Sequence, residues 1–232
     1  MDPIRFYYDN LSQPCRALEI FLKVNKIPFE GKFVHLSSGD HLTDTYRKIN
    51  PFKKVPVIDD NGFLLTESVA ILRYLCREKD VPDHWYPKDS RRQARVDEYL
   101  EWQHIETRAQ CSLYFRAKFL DPLLTGKAAK SLRVSNYKRR MEKVCDQIES
   151  VWLKGKLFIA GDQISIADLL AATELEQLRP TLYDPTIGRP LMAGWMERVK
   201  RATTPHYEEV HSRIYKLAER VFKEETLSLA KL

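Results

Sequence analysis

Ser12-Gln13-Pro14-Cys15-Arg16 carries the residue types best placed to do chemistry in this chain. A short apolar and aromatic run, 4–8, precedes it. Ala17, Ile20, Phe21 and Val24 follow at helical spacing, as on one face of an amphipathic helix. Pro14 suits the first helical turn, where a missing N–H costs nothing. A strand, a tight turn and a helix N-terminus in succession make a site that stabilises negative charge. Cysteines at both 12 and 15 would form a dithiol redox pair, but Ser12 stands at the first position. A hydroxyl cannot join a disulfide. It can donate a hydrogen bond to a thiolate brought by another molecule. The purely structural alternative is that Ser12 caps the helix.

A second constellation follows. Thr66-Glu67-Ser68 opens another helix. Ser68, with its N–H and hydroxyl, suits a carboxylate, and Glu67 suits an ammonium. Together they fit an α-amino acid head group. His41 and Lys54 are donors suited to a second carboxylate, although an isolated lysine is ordinarily a surface charge. Val55-Pro56-Val57 puts a proline, which cannot donate to a ladder, at the start of an apolar strand. A cis bond would fit there, and Val55 would then turn its N–H and C=O outward, where an extended peptide can pair as an added strand. An amino acid head, a short peptide, a thiol and a distal carboxylate are the parts of glutathione.

These groups need a frame. Up to about residue 78 the pattern alternates: strand 4–8, helix from 13, strand 29–36, short helix 43–49, strand 55–58, turn 59–62, strand 63–65, helix 67–75. Asn61-Gly62 between apolar runs is a hairpin signal. The order β-α-β-α-β-β-α predicts a small α/β layer with a mixed sheet. Residues 80–90 hold two prolines and no periodicity, and read as a linker. Beyond them the chain reads as helical: one long or kinked helix over 91–119 closed by Asp121-Pro122, a stripe of Tyr137, Met141, Val144, Ile148 and Val151, and helices near 190–202 and 205–224. Ser165-Ile166-Ala167-Asp168 has the form of a capping box, with Ile164 and Leu169 placed for a hydrophobic staple. The division is therefore 1–79, linker 80–90 and an all-helical 91–232.

Composition excludes several classes. The chain has 232 residues, 44% hydrophobic and 30% charged, as in ordinary globular proteins. No apolar run is long enough for a bilayer, and the N-terminus has no secretory pattern. Ala230-Lys231-Leu232 only approximates a peroxisomal address and reads as chance. Cys15, Cys76, Cys111 and Cys145 are scattered, without metal-ligand spacing to the histidines, which fits free thiols in a reducing cytoplasm and no metal. The net charge of +6 is spread among acidic residues. The basic cluster 127–140 lacks the aromatics that stack on bases, so neither nucleic acid nor membrane is expected as a partner. A mild positive field attracts a small anion instead.

Four stretches make the chain similar to the cytosolic glutathione transferases, and most of all to their theta class, with an insect-like leaning. They are Leu11-Ser12-Gln13-Pro14-Cys15-Arg16-Ala17, Asn50-Pro51-Phe52-Lys53-Lys54-Val55-Pro56, Thr66-Glu67-Ser68-Val69-Ala70-Ile71-Leu72 and the run from Ala94 through Arg95-Val96-Asp97-Glu98-Tyr99 to His104. The resemblance implies a thioredoxin-like α/β N-terminal domain, an all-α C-terminal domain and a homodimer. It implies Ser12 as the catalytic hydroxyl, and His41, Lys54, Val55, Pro56, Glu67 and Ser68 as glutathione-binding positions. Arg108 matches a residue lining the same cleft, and Leu113 and Tyr114 are expected in an apolar wall for the electrophile. Other classes use a tyrosine at the end of the first strand, where Tyr8 stands here. The expectation favours Ser12 and leaves Tyr8 to packing. Some theta members cover the site with a tryptophan on a long C-terminal helix. The last tryptophan here is Trp195 and the tail 223–232 is short and polar, which predicts a more open pocket.

The implied activity is attack of the glutathione thiolate on small hydrophobic halides, epoxides or sulfate esters in detoxification, with peroxide reduction as a further activity. Two rivals follow from the same residues. One is a noncatalytic binding or assembly module on the same fold. The other is a glutathione-dependent thiol reductase, which would want cysteine at position 12.

Overall fold

The computed structural model describes residues 2–229. Its first layer comprises β1 (Ile4–Tyr8), α1 (Gln13–Val24), β2 (Phe29–Phe33), α2 (Asp44–Arg47), β3 (Val57–Asp60), β4 (Phe63–Thr66) and α3 (Ser68–Glu78). The strands lie in the order β2-β1-β3-β4. β1 runs parallel to β2 and antiparallel to β3, which pairs antiparallel with β4. This is the mixed sheet expected from the alternation.

Three local differences have clear causes. β2 stops at Phe33, because the Asp9 carboxylate takes the Leu36 N–H at 3.0 Å and turns the chain into a 3-10 turn. β3 begins at Val57 rather than at residue 55, since Pro56 has no N–H for the ladder. The Val55–Pro56 bond is cis. The strand then continues through Asp60, and Asn61 and Gly62 both take positive φ, as a two-residue hairpin turn requires.

α1 is not amphipathic in place: every residue from Gln13 to Leu22 is buried. One face lies on the sheet and the other against the helical half. Arg16 and Glu19 are therefore buried polar groups with assigned partners. Arg16 donates to the carbonyls of Asn10 (2.8 Å) and Thr173 (3.1 Å) and to Gln177 Oε1 (2.7 Å), clamping the two halves together. The segment 80–90 is anchored too. Trp85 is buried edge-on to Phe21, and a ring nitrogen of His84 hydrogen-bonds the Ile164 carbonyl.

The helical half contains α4 (Ser90–Trp102), α5 (Ala109–Phe115), α6 (Asp121–Thr125), α7 (Ser131–Gln147), α8 (Ile166–Glu176), α9 (Pro190–Ala202) and α10 (His206–Leu229). Asp121-Pro122 does not close the long helix. Helical structure carries on to Thr125 and ends at Gly126, which is left-handed. Wider π turns at His104–Arg108 and Arg116–Leu120 join α4 to α5 and α5 to α6. A third π turn, Ile148–Trp152, corrects the predicted stripe. It rotates the register, so Met141, Val144, Ile148 and Leu153 are buried while Val151 is 62% exposed. The capping box at Ser165 forms as expected. Trp195 is fully buried and donates to Asp168 at 2.8 Å, so it belongs to the core. No described helix is long and apolar enough to cross a membrane. The tail from 223 continues α10 as far as Leu229, and the address considered at Ala230-Lys231-Leu232 lies outside the described residues.

Candidate active site

A cavity of about 240 Å³ lies between the two halves. The first half contributes Pro14, Asn50, Lys54, Val55, Pro56, Glu67 and Ser68, and the helical half contributes Gln103, His104, Arg108, Leu170 and Glu174. Both sides follow from local structure. The loop before β3 is held by Asn50, itself buried: its Nδ2 donates to the Lys54 carbonyl at 2.7 Å and its Oδ1 accepts from the Phe52 N–H at 2.9 Å. Tyr46 Oη donates to the same carbonyl at 2.8 Å. Lys54 and Val55 are thus presented on a fixed loop.

Glu67 takes φ 65° and ψ 110°, a region costly for any residue with a Cβ, on the order of 1–3 kcal/mol. It stands just ahead of α3, and its carbonyl accepts from the Ile71 N–H at 2.9 Å. Ser68 begins the helix, so its N–H is one of the free donors of the first turn. Among the described residues, neither Lys54 nor Glu67 is in an ion pair, whereas Arg108 is paired with Glu174 at 2.8 Å. The cavity therefore offers one free cation, one free anion and a helix N-terminus. That combination fits a zwitterionic ligand with a further carboxylate.

Two family models match the chain: glutathione S-transferase N-terminal domain over residues 6–84 and glutathione S-transferase C-terminal domain over 115–202. Glutathione S-transferase theta-1 of Bos taurus is 42% identical over 214 residues, covering 92% of this chain and 89% of that protein. The structure of human glutathione S-transferase T1-1 in its apo form superposes with a TM-score of 0.90 at 41% identity, over 93% of this chain and 91% of the other. Human glutathione transferase theta-2, solved with glutathione and an unknown ligand, gives 0.90 at 36% identity, over 95% and 91%. The chain belongs to the theta class of glutathione transferases. The insect-like leaning is not supported: the theta-class relatives that match at 36–42% identity are from vertebrates, whereas the Bombyx mori and Nilaparvata lugens transferase structures match at 27–28%.

In this theta-class chain Ser12 occupies the cap position of α1, but its hydroxyl does not cap the helix. Its N–H donates to the Asp9 carbonyl at 2.9 Å, and its side chain neighbours the Cys15 thiol. Ser12 is buried and does not itself border the cavity; it stands two residues before Pro14, which does. Asp9 anchors this turn. Fully buried, it accepts from the Leu11 N–H at 2.9 Å and from Arg213 of α10 at 2.5 Å. Burial pushes the Cys15 thiol up to about 12, so it stays protonated at neutral pH.

Tyr8 stacks on Phe6 and meets Phe33 edge-on. Burial and then Glu19 raise its phenol above the ordinary range, while Lys23 pulls it back. Those charges lie well along α1 from Ser12.

The remaining expected residues divide. Lys54, Val55, Pro56, Glu67, Ser68 and Arg108 border the cavity. His41 does not: it sits in a 3-10 turn, half-buried, with Nδ1 lacking a partner among the described residues. Leu113 and Tyr114 do not border it either. Tyr114 is buried against Tyr183. The sequence reading missed Asn50, Gln103, His104, Leu170 and Glu174 as cavity residues. Glu174 had a signal: with Asp168 it is one of two carboxylates in the apolar stretch 164–175, where an unpaired charge is not tolerated, and it lies outside the capping box that accounts for Asp168.

Proposed function

We propose that the cleft binds glutathione and that Ser12 holds its sulfur as the thiolate for transfer to an electrophilic carbon. The observation carrying this reading is the unpaired Lys54 and Glu67 in one cavity with Ser68, next to the first turn of α1. Glu67 takes the γ-glutamyl ammonium, Ser68 the adjoining carboxylate, Val55 the peptide backbone, and Lys54 the distal carboxylate.

A free thiol has a pKa near about 8.5, so little is ionised at neutral pH. A hydrogen bond from Ser12 and the positive end of α1 both favour the thiolate. The sulfur then forms a bond to carbon while the carbon–halogen or carbon–oxygen bond breaks, and the electron pair leaves with halide or sulfate. In an epoxide it stays on the ring oxygen, which takes a proton. Glutathione is the nucleophile, and no enzyme intermediate forms. Gln103, His104 and Leu170 supply the facing wall.

Against a thiol reductase stand serine at position 12 and the protonated Cys15. Against a noncatalytic module stands the intact set Ser12, Lys54, Glu67 and Ser68. The proposed division of labour keeps 1–79 for glutathione, 80–90 as connection and 91–232 for the electrophile. We further propose a cytoplasmic homodimer in which Phe52, 68% exposed on the fixed loop, plugs the partner subunit.

Immobilised glutathione should retain the protein, and a panel of alkyl halides, epoxides and aryl sulfates should yield glutathione conjugates. Retention without turnover on any of them would favour the noncatalytic module. No retention would overturn the site.

A further inference from the structure

The helical wall carries a group that this reaction does not use. Glu174, in α8, is 2% exposed. Its Oε1 accepts from Arg108 Nη1 at 2.8 Å, while Oε2 is buried without a hydrogen-bond partner among the described residues. Both residues border the cavity that holds Lys54, Glu67 and Ser68. Arg108 is fixed from its backbone as well: its N–H donates to the Gln103 carbonyl at 2.8 Å, closing the π turn.

The other groups facing Glu174 are Gln13 and Arg16 from α1, Tyr99 from α4 and Cys111 from α5. Arg16 is committed to Asn10, Thr173 and Gln177. Arg108 is therefore the cation that answers Glu174. Burial pushes the Glu174 carboxyl up, and Arg108 draws it back down.

We infer that Glu174 is a positioning residue that holds Arg108 on the cleft wall and limits how much positive charge Arg108 presents to the ligand. The inference rests on the reading that glutathione binds here. Its physical basis is simple. An arginine does not lose its proton in a protein, so beyond solvent screening it is a fixed neighbouring charge that attenuates its field. A carboxylate in direct contact does so, here from the buried side of an arginine whose side chain is 40% exposed on the other. The side-chain amide of glutamine keeps an oxygen for Arg108 and deletes the charge. Leucine deletes both.

The test is thiolate absorbance of bound glutathione against pH, with KM for glutathione, in wild type, Glu174→Gln and Glu174→Leu. In Glu174→Gln the thiol pKa should fall by about half a unit, because Arg108 stays in place with its charge uncompensated. KM should stay within about twofold. In Glu174→Leu the guanidinium is released, so KM should rise about fivefold or more and the thiol pKa should rise. Replacing Arg108 with Ala in the Glu174→Gln background should abolish the fall. A thiol pKa unchanged or raised in Glu174→Gln overturns the inference while wild type still binds glutathione. Wild type failing to bind overturns the parent reading itself. Glu174→Gln is nearly isosteric, so it carries the test even where Glu174→Leu does not fold.

Discussion

The two ends of α8 hold buried carboxylates in opposite conditions. Near the N-terminal end, Asp168 accepts from the Ile159 N–H, the Ser165 N–H and hydroxyl, and Trp195 Nε1, at 2.8 to 2.9 Å. Near the other end, Glu174 is as well buried but has Arg108 on one oxygen and, among the described residues, no hydrogen-bond partner on the second. A buried charge with its lone pairs used holds a fold together. One left half-satisfied at a cavity wall is available to a ligand or to the residue beside it. The same contrast separates Arg16, whose guanidinium clamps the two halves, from Lys54, which has no ion-pair partner among the described residues.

The contrast breaks most visibly at Asp168. Asp168→Ala leaves three buried N–H donors unpaired, at about 1–3 kcal/mol each, so stability should drop by about 3 kcal/mol or more in urea unfolding. The folded fraction should keep its glutathione affinity. A stable variant with weakened binding would reverse the assignment of the two ends.

Glu67→Ala should do the opposite. Glutathione binding should weaken by about 1.5–3 kcal/mol, the usual loss for a charged hydrogen bond, with the unfolding midpoint little changed. Calorimetric titration with unaltered affinity would remove Glu67 from the site. Light scattering at micromolar concentration should return about twice the chain mass, falling toward one chain in Phe52→Ala. A wild-type monomer would refute the proposed partner contact.

Much of this was legible in the sequence. The alternation of periods gave the mixed sheet, Asn61-Gly62 the hairpin, and Ser165 with Asp168 the cap. Glu67, Ser68, Lys54 and Val55 were legible because each has a residue type that means something at the start of a helix or strand. What escaped depends on register and on the second half of the molecule. Val151 was misplaced because a π turn adds a residue that periodicity cannot count. Leu113 and Tyr114 lie between two π turns and do not border the cavity that holds Lys54, Glu67 and Ser68. Arg16 read as part of a motif, and its partners on α8 are far away in the chain. Asn50 stands just past the short helix read over 43–49, and nothing in its residue type signalled that its side chain organises the loop that presents Lys54.

The smallest expected effect lies at Tyr8, and it sharpens the central claim that Ser12 activates the thiol. Tyr8 packs on Phe6 within reach of Glu19 and Lys23, whereas Ser12 stands at the head of α1 with its hydroxyl free of capping duty. The deciding measurement is thiolate absorbance of bound glutathione across pH in wild type, Ser12→Ala and Tyr8→Phe. Ser12→Ala should raise the thiol pKa by more than about one unit, lowering turnover at neutral pH roughly tenfold. Tyr8→Phe should leave both within error. Loss of the low-pKa thiolate in Tyr8→Phe, with its retention in Ser12→Ala, would contradict this account and give the chemistry to the tyrosine.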